Sequence, residues 1–194
     1  MAKIIGISGI SGAGTTTITE ALGAKLNVTT VHWDDFDNIS QSPQDYLEWF
    51  HQSKNYDDWH YPALENVLHE LKRGHEVIHP ALERILLPTP IVIFDGSLGR
   101  LHKATGRYID LAIHLDTSMD VALARRLIRG FGETVTAASG HDIIDELSWY
   151  LNAGRVLFDA TEIKNAADVV VDGNLSVNEI VAHIMASCRD FLKG

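Results

Sequence analysis

The stretch Gly9-Ile10-Ser11-Gly12-Ala13-Gly14-Thr15-Thr16 decides the fold of this 194-residue chain. It follows an apolar run at residues 4–8, typical of a buried strand, and precedes residues 18–26, whose pattern predicts a helix. Small residues at such a junction let the backbone curl until several N–H groups face one anion, and the helix dipole adds to the attraction. The stretch therefore predicts a phosphate-binding loop, against the alternative of an ordinary glycine-rich turn.

One position departs from the phosphate-loop pattern, which asks for Gly-Lys-Thr where this chain has Gly14-Thr15-Thr16. The missing lysine would reach the β- and γ-phosphates. A unit charge about 4 Å from its partner, at an effective dielectric of about 20, contributes roughly 4 kcal/mol. That energy corresponds to about a thousandfold in rate, so we expect nucleotide binding to persist and phosphoryl transfer to be slow unless another cation substitutes. The candidate cations are Arg125, Arg126, Arg129 and Arg155.

Short apolar runs alternate with helical patterns along the whole chain. The predicted strands are residues 4–8, 28–33, 91–94, 109–115 and 169–171, and the predicted helices are 18–26, 62–72, 118–129, 142–158 and 177–191. Such alternation predicts an α/β fold, a three-layer sandwich around a mostly parallel, doubly wound sheet. We expect one domain over residues 1–194 with a small lid at about 125–142, and Ser118 as the cap of the helix that follows it. Residues 38–61 and 130–140 are predicted to be loops over a site.

Composition limits the classes of partner. The 16 Lys and Arg residues against 26 Asp and Glu residues give a net charge of -10, which argues against nucleic-acid and anionic-membrane partners. The single cysteine, Cys188, cannot form an intramolecular disulfide and is predicted to be core. With no signal peptide and no apolar run of about 18 residues, we expect a cytoplasmic protein that binds a small molecule. Whether it forms a homo-oligomer stays open.

Carboxylates follow two of the predicted strands. Asp34 and Asp35 come after the second strand and Asp95 ends the third, where open α/β sheets bind ligands. Asp34 can accept a hydroxyl proton or hold a metal-bound water, while Asp95 and the hydroxyl of Thr16 suit Mg²⁺. The alternative is that these aspartates are turn residues.

Two further groups of side chains are candidates for ligand contacts. Arg125 and Arg129 lie four residues apart on one helix face, which suits a phosphate clamp as well as a solvated surface. Trp59, His60 and Tyr61 can stack on and hydrogen-bond a ring, or simply anchor a loop.

The segment His75-Glu76-Val77-Ile78-His79 matches the zinc-protease pattern HExxH. That pattern requires a helix, whereas Gly74, Pro80 and the internal Val-Ile pair favour a short strand. We therefore expect no zinc site here.

Five stretches in order resemble the uridine kinase, nicotinamide riboside kinase and phosphoribulokinase group of P-loop kinases. They are residues 6–14, Trp33-Asp34-Asp35-Phe36, residues 91–96, residues 125–129 and residues 167–170. The chain departs from the group at Thr15, at Asp95 where glutamate is usual, at Leu82 where uridine kinases carry tyrosine, and at Gly130 after the lid arginine.

The resemblance implies a role for each matching residue and two cofactors, ATP and Mg²⁺. Asp34 would be the catalytic base, with Arg126 and Arg129 also catalytic, and Thr16 and Asp95 would hold the metal. The residues implied in nucleotide binding are Gly9, Ser11, Gly12, Ala13, Gly14, Thr15, Thr16, Thr17 and Arg125. The candidates for acceptor binding are Asp35, Trp59, His60, Tyr61 and Arg155, although residues 57–63 do not follow the order of the uridine kinase pattern.

These observations predict ATP-dependent phosphoryl transfer to a hydroxyl of a small metabolite, such as a nucleoside or riboside, in the manner of a uridine kinase. Thr15 predicts slow turnover, and the alternative is a nucleotide-binding regulator or sensor that has lost fast turnover. A GTPase switch is disfavoured because the sequence has no Asn-Lys-x-Asp or Thr-Lys-x-Asp segment.

Overall fold

The computed structural model describes residues 1–132 and 139–193. Its strands are β1 (Lys3–Gly9), β2 (Thr29–His32), β3 (Val77–Ile78), β4 (Ile85–Leu86), β5 (Ile91–Asp95), β6 (Leu111–Asp116) and β7 (Val169–Asp172). Five of them form one parallel sheet in the order β2-β5-β1-β6-β7, and β3 pairs with β4 as an antiparallel hairpin. The order reverses direction at β1, so the sheet is doubly wound as predicted.

Helices connect the strands. They are α1 (Thr15–Leu26), α2 (Tyr46–Gln52), α3 (Pro62–Arg73), α4 (Lys103–Gly106), α5 (Met119–Phe131), α6 (Ser139–Trp149), α7 (Arg155–Leu157), α8 (Thr161–Asn165), α9 (Val177–Ser187) and α10 (Arg189–Lys193). Short 3₁₀ helices span Trp33–Ile39, Tyr56–Asp58 and Gly99–Leu101, and a π-helix spans Tyr150–Gly154. Within the described residues, no helix is both long and apolar enough to cross a bilayer.

Two apolar cores, one on each face of the sheet, make the predicted three layers. Because successive strand residues point to opposite faces, Ile4 lies in one core and Ile5 in the other. The first core packs α3 and the 3₁₀ helix Trp33–Ile39 against β1, β2 and β5. The second packs α1 and α9 against β1, β6 and β7, and it includes the buried Cys188.

The parallel register brings the carboxyl ends of three strands to one edge. Ile7 of β1 pairs with Asp95 of β5, and Asp95 pairs in turn with His32 of β2. The chain beyond each strand therefore leaves the sheet at the same side: the phosphate loop (residues 9–16) after β1, and the 3₁₀ helix Trp33–Ile39 after β2.

The predicted strands and helices agree with the structure except at particular ends, and the two predicted loops are wrong in part. Residues 46–52 of the predicted loop 38–61 form α2, and residues 130–131 and 139–140 of the predicted loop 130–140 belong to α5 and α6. Ser118 precedes α5, but its side chain does not cap the helix, because its hydroxyl donates to Asn174 Oδ1 at 3.0 Å. The helix predicted over residues 142–158 is interrupted by the π-helix Tyr150–Gly154. Of the predicted loop 130–140, residues 133–138 lie outside the described residues, and so does that part of the predicted lid.

Helix α1 approaches β2 closely at Gly23. A Cβ added to Gly23 would lie 2.3 Å from Cγ2 of Thr30, whereas a Cβ on Gly130 in α5 meets no atom of the described residues within 4 Å. Alanine in a helix interior gains about 1 kcal/mol over glycine when there is room for it. An added methyl in a closed contact instead costs about 1–3 kcal/mol.

We therefore expect opposite signs from two matched substitutions. Gly23→Ala should lower the free energy of unfolding by about 1 kcal/mol, and Gly130→Ala should raise it by about 0.5 kcal/mol. Urea unfolding monitored by circular dichroism measures both. A stabilised Gly23→Ala variant would mean that α1 does not lie against β2 as described.

Candidate active site

The phosphate loop has the backbone conformation that its glycines predict. Gly12 and Gly14 have φ values of 91° and 94°, in the left-handed region that other residues rarely adopt. A Cβ on Gly12 would lie 2.3 Å from the carbonyl oxygen of Ala122 in α5, whereas a Cβ on Gly14 would meet nothing within 4 Å. The loop is thus packed against α5 on one side and open on the other.

A cavity of about 730 Å³ lies on the open side of the loop, a size in the usual range for ligand sites. The residues of the loop region that line it are Gly9, Ile10, Ser11, Gly12, Gly14, Thr15, Thr16 and Thr17. The side chain of Ala13 is buried beneath the loop instead. Because the first amides of α1 have no acceptor inside the helix, they are available to a phosphate in this cavity.

Thr16 and Asp95 meet at the inner end of the cavity. The Thr16 hydroxyl donates to Asp95 Oδ2 at 2.8 Å, and the Nδ1 atom of His32 lies 3.6 Å from the same oxygen. The Asp95 carboxylate raises the pKa of His32, although burial opposes that shift. The structure thus brings together the two residues predicted to hold Mg²⁺ and adds a histidine behind them.

These oxygens fit a magnesium ion that also binds nucleotide phosphates. Mg²⁺ is usually held by one or two carboxylates, waters and substrate phosphates, rather than by a cage of protein ligands. Consistent with this, residues 1–132 and 139–193 contain no group of three or more His, Cys, Asp or Glu residues placed to hold a metal. The ligand roles of Thr16 and Asp95 stay predictions.

The adjacent aspartates Asp34 and Asp35 differ in the cavities that they line. Asp34 lines the large cavity and also a smaller one of about 310 Å³, which Thr16 and Asp95 border as well. Burial raises the pKa of Asp34, the charges of Asp37 and Asp95 raise it further, and that of Arg129 opposes them. Asp35 lines only the smaller of these two cavities. Of the pair, Asp34 has the surroundings of a proton acceptor.

Aromatic rings form much of the lining of the large cavity, and this aromatic lining is called its wall below. They are Trp33, Tyr46, Trp49, Phe50, Tyr56, Trp59, Tyr61, Trp149 and Phe158, which include all four tryptophans of the chain. Trp49 and Trp59 meet edge to face at 4.6 Å, and Trp33 and Tyr61 lie 4.4 Å apart. The wall offers flat apolar surfaces of the kind that bind a ring.

Buried polar groups hold this wall in place. The Tyr61 hydroxyl donates to Asp37 Oδ1 at 2.7 Å. The Nε2 atom of the buried His102 donates to the carbonyl oxygen of Trp59 at 2.9 Å, because a carbonyl can only accept. The Tyr61 ring is therefore held by Asp37, which also lines the cavity, and the backbone at Trp59 is held by His102.

Lys54 and Tyr56 extend the wall to the carboxyl-terminal half of the chain. The Lys54 ammonium lies 3.0 Å from Glu162 Oε1, and the Tyr56 hydroxyl donates to Glu162 Oε2 at 3.3 Å. Burial and the Glu162 carboxylate raise the pKa of Tyr56 to about 12. Glu162 belongs to α8, so these two bonds tie residues 54–56 to a helix about a hundred positions away.

The four arginines named as candidate cations have different surroundings. Arg125 lines the cavity but donates to the carbonyl oxygens of Ala13 at 3.2 Å and Gly173 at 3.0 Å, so it holds the phosphate loop. Arg126 forms an ion pair with Glu146 and stacks on the ring of Phe158 at 4.6 Å.

The other two arginines differ in their access to the cavity. Arg129 lines it, close enough for its charge to lower the pKa of Asp34. Arg155 is exposed and does not line it.

Of the three adjacent residues predicted to bind the acceptor, Trp59 and Tyr61 line the cavity and His60 does not. The backbone of His60 pairs with Gln41, and this pairing leaves the imidazole exposed. The sequence patterns did not predict that the aromatic side chains of α2 and of residues 149–158 line the cavity. The aromatic composition of residues 38–61 does indicate those of α2.

The surroundings of Asp34 predict how its titration responds to substitution. Asp37→Asn removes a negative charge that raises the pKa of Asp34 and keeps an acceptor for Tyr61, so the pKa of Asp34 should fall. Arg129→Met removes a positive charge, so the pKa should rise. Carboxyl-carbon NMR titration measures both shifts, with Asp45→Asn at the exposed start of α2 as the control. A rise in Asp37→Asn would contradict the described geometry.

Comparisons with known proteins identify a family for this chain. The profile of the Phosphoribulokinase / Uridine kinase family matches residues 4–145. A protein named uridine kinase from Borreliella burgdorferi (strain ZS7) is 31% identical over 170 residues, which cover 80% of this chain and 78% of that protein.

Solved structures of other small-molecule kinases share the fold. A shikimate kinase from Bacteroides thetaiotaomicron superposes with a TM-score of 0.56 at 17% identity, covering 96% of this chain and 98% of the other. A gluconokinase from Sinorhizobium meliloti 1021 superposes with a TM-score of 0.52 at 15% identity, covering 98% and 93%. The phosphate loop, the doubly wound sheet and the sequence match together place the chain in the phosphoribulokinase and uridine kinase family of small-molecule kinases.

Proposed function

We propose that the chain transfers the γ-phosphoryl group of Mg-ATP to a hydroxyl of a nucleoside or another riboside that carries a flat ring. The observation that carries this proposal is the lining of one cavity. The phosphate loop and Asp34 line this cavity, and so do nine aromatic side chains. A riboside has a hydroxyl at one end and a ring at the other, and thus matches both parts of that lining.

The aromatic wall supports a ring-bearing acceptor more than a simple sugar. Stacking of a base on an aromatic side chain contributes about 1–3 kcal/mol. Rings fixed in advance, as Tyr61 is by Asp37 and Trp59 by its edge-to-face contact with Trp49, lose little freedom when an acceptor binds. A simple sugar that carries no aromatic base would leave most of this aromatic surface without a contact.

Each residue at the inner end has a task in the proposed reaction. The amides of the phosphate loop hold the phosphates, and Thr16 and Asp95 hold Mg²⁺, which when bound neutralises charge on the phosphates. Asp34 accepts the proton of the acceptor hydroxyl. Its raised pKa brings it closer to neutral pH, which makes it a better general base than an exposed aspartate.

Arg129 is the cation that we propose in place of the missing lysine. It lines the same cavity as Thr15 and acts on Asp34, while Arg125 and Arg126 are engaged with backbone carbonyls and with Glu146. Because its side chain is exposed, its charge is screened more than that of a buried lysine. The proposed turnover is therefore slow.

A second candidate function is a nucleotide-binding regulator or sensor without fast turnover. Thr15 favours it, since a phosphate loop without lysine can still hold a nucleotide through backbone amides. The two functions differ in whether any acceptor is phosphorylated.

The experiment is phosphorus NMR of the protein with Mg-ATP and a pooled panel of nucleosides and ribosides, with uridine included because the curated relatives carry that name. We expect a new phosphomonoester signal from the native chain, and at least a tenfold faster one from Thr15→Lys. Product from Thr15→Lys alone would favour the sensor. No product from either, with folded protein, would contradict a riboside kinase.

Intrinsic fluorescence supplies a binding measurement that does not depend on turnover. Because all four tryptophans line the cavity, a ring-bearing acceptor should change the emission in proportion to occupancy. A panel member that is phosphorylated without changing the emission would contradict the assignment of the aromatic wall to the acceptor.

Arg129→Gln tests the proposed replacement cation. It should lower kcat by about 10- to 100-fold, because the charge acts on the transferred phosphoryl group. The KM for ATP should change less, since loop amides do most of the holding. Arg73→Gln, on the exposed end of α3, is the matched control and should change neither. If the Arg129 variant matches the control, the chain does not use Arg129 in this way.

A further inference from the structure

His79 is a buried histidine that has no role in the reaction proposed above. It is the second histidine of the HExxH match and lies in the segment between β3 and β4, with its side chain about 1% exposed. Its ring lies 4.4 Å from that of Phe36 in the 3₁₀ helix Trp33–Ile39. The hairpin thus packs against the helix that carries Asp34 and Asp35.

The hairpin turn determines where the imidazole proton lies. The backbone N–H groups of Ala81 and Leu82 both donate to His79 Nδ1, each at 3.3 Å. An atom that accepts cannot carry the proton in the neutral ring, so the proton is on Nε2. The Nε2–H group is consequently directed away from the turn.

That group faces Asp35. The Nε2 atom lies 3.6 Å from Asp35 Oδ2, which is beyond hydrogen-bond length, and it has no hydrogen-bond partner among the described residues. A buried N–H without a partner is unfavourable, so a shift of well under 1 Å that closes the gap would be favourable. The distance from Nε2 to Asp35 Oδ2 exceeds that of a hydrogen bond by an amount that a side-chain movement on ligand binding can remove.

The charged groups around His79 keep its ring neutral near neutral pH. Burial lowers its pKa, Asp35 of the 3₁₀ helix opposes that shift, and Arg84 of the hairpin and His32 of β2 add to it. His79 therefore presents an oriented N–H group toward Asp35, without donating to it in this structure.

We propose that His79 is the positioning residue for Asp35, and through it for the turn that carries Asp34. Asp35 lines the smaller cavity together with Asp34, Thr16 and Asp95, so the position of its carboxylate affects the turn that carries Asp34. The inference rests on the proposed phosphoryl transfer for its consequence in turnover. The contact itself depends only on the fold.

Two substitutions test the roles of the two ring nitrogen atoms of His79 separately. Asparagine places an amide oxygen near the position of Nδ1, so His79→Asn keeps the acceptor for the turn and loses the donor to Asp35. Glutamine reaches as far as Nε2, so His79→Gln keeps the donor and loses the acceptor. His75→Asn and His75→Gln are matched controls, because His75 is half-exposed and paired with Glu70 outside the site.

The expected results have opposite orders. His79→Asn should lower kcat by about tenfold with an unchanged KM for ATP, and His79→Gln should retain most of the turnover. In urea unfolding, His79→Gln should be the less stable of the two, because two turn N–H groups lose their acceptor. If His79 has a purely structural role, turnover should follow stability, and His79→Gln should then have the lower kcat. A lower kcat in His79→Gln than in His79→Asn would overturn the proposal.

Nitrogen NMR of the imidazole tests the contact without any acceptor. In the native chain, Nδ1 of His79 should be unprotonated and Nε2 protonated, and Asp35→Asn should shift the Nε2 resonance more than that of Nδ1. A proton on Nδ1, or an Nε2 resonance unmoved in Asp35→Asn, would overturn the proposal. If the native chain phosphorylates nothing in the panel, the riboside-kinase function fails, and this spectrum alone decides whether His79 holds Asp35.

Discussion

The hydrogen bond of 2.8 Å from Thr16 to Asp95 joins the two halves of the inner site. Thr16 belongs to the first turn of α1 and Asp95 to the last position of β5, so the bond fixes the helix N-terminus against the carboxyl edge of the sheet. Phosphate binding depends on that N-terminus, and the acidic cluster depends on that edge. His32 on Asp95 and Asp34 beyond β2 are placed by the same parallel register.

Features that depend on local sequence could be predicted. The phosphate loop, the five strands of the sheet and the left-handed Gly74 at the end of α3 each follow from residues within a few positions of one another. The approach of Asp95 to Thr16 could also be predicted, although the residues lie 79 positions apart. The reason is that parallel strands of a doubly wound sheet end at a common edge, so a carboxylate ending β5 falls beside the loop after β1.

Features that depend on distant partners could not be predicted. The Ser118 hydroxyl prefers Asn174 to its own helix, and that choice depends on the turn after β7. Exposure of His60 follows from its pairing with Gln41, which the composition of its segment does not show. Similarly, nothing near Lys54 in the sequence indicates that Glu162 lies beside it. Sequence reasoning therefore predicted the contacts around the phosphate loop better than those of the aromatic wall.

In the proposed reaction, the aromatic wall of the cavity explains how a chain without the loop lysine can still be organised for transfer. Binding energy from parts of a substrate that do not react can be used to position the part that does. An aromatic wall supplies such energy without charge, whereas the inner end already holds Asp34, Asp37 and Asp95 and gains more negative charge with each phosphate. Holding the hydroxyl against Asp34 recovers part of the barrier through orientation, which does not require the lysine. In this proposal the metal and Arg129 would balance the remaining charge, so the missing lysine should affect the rate of transfer more than acceptor binding.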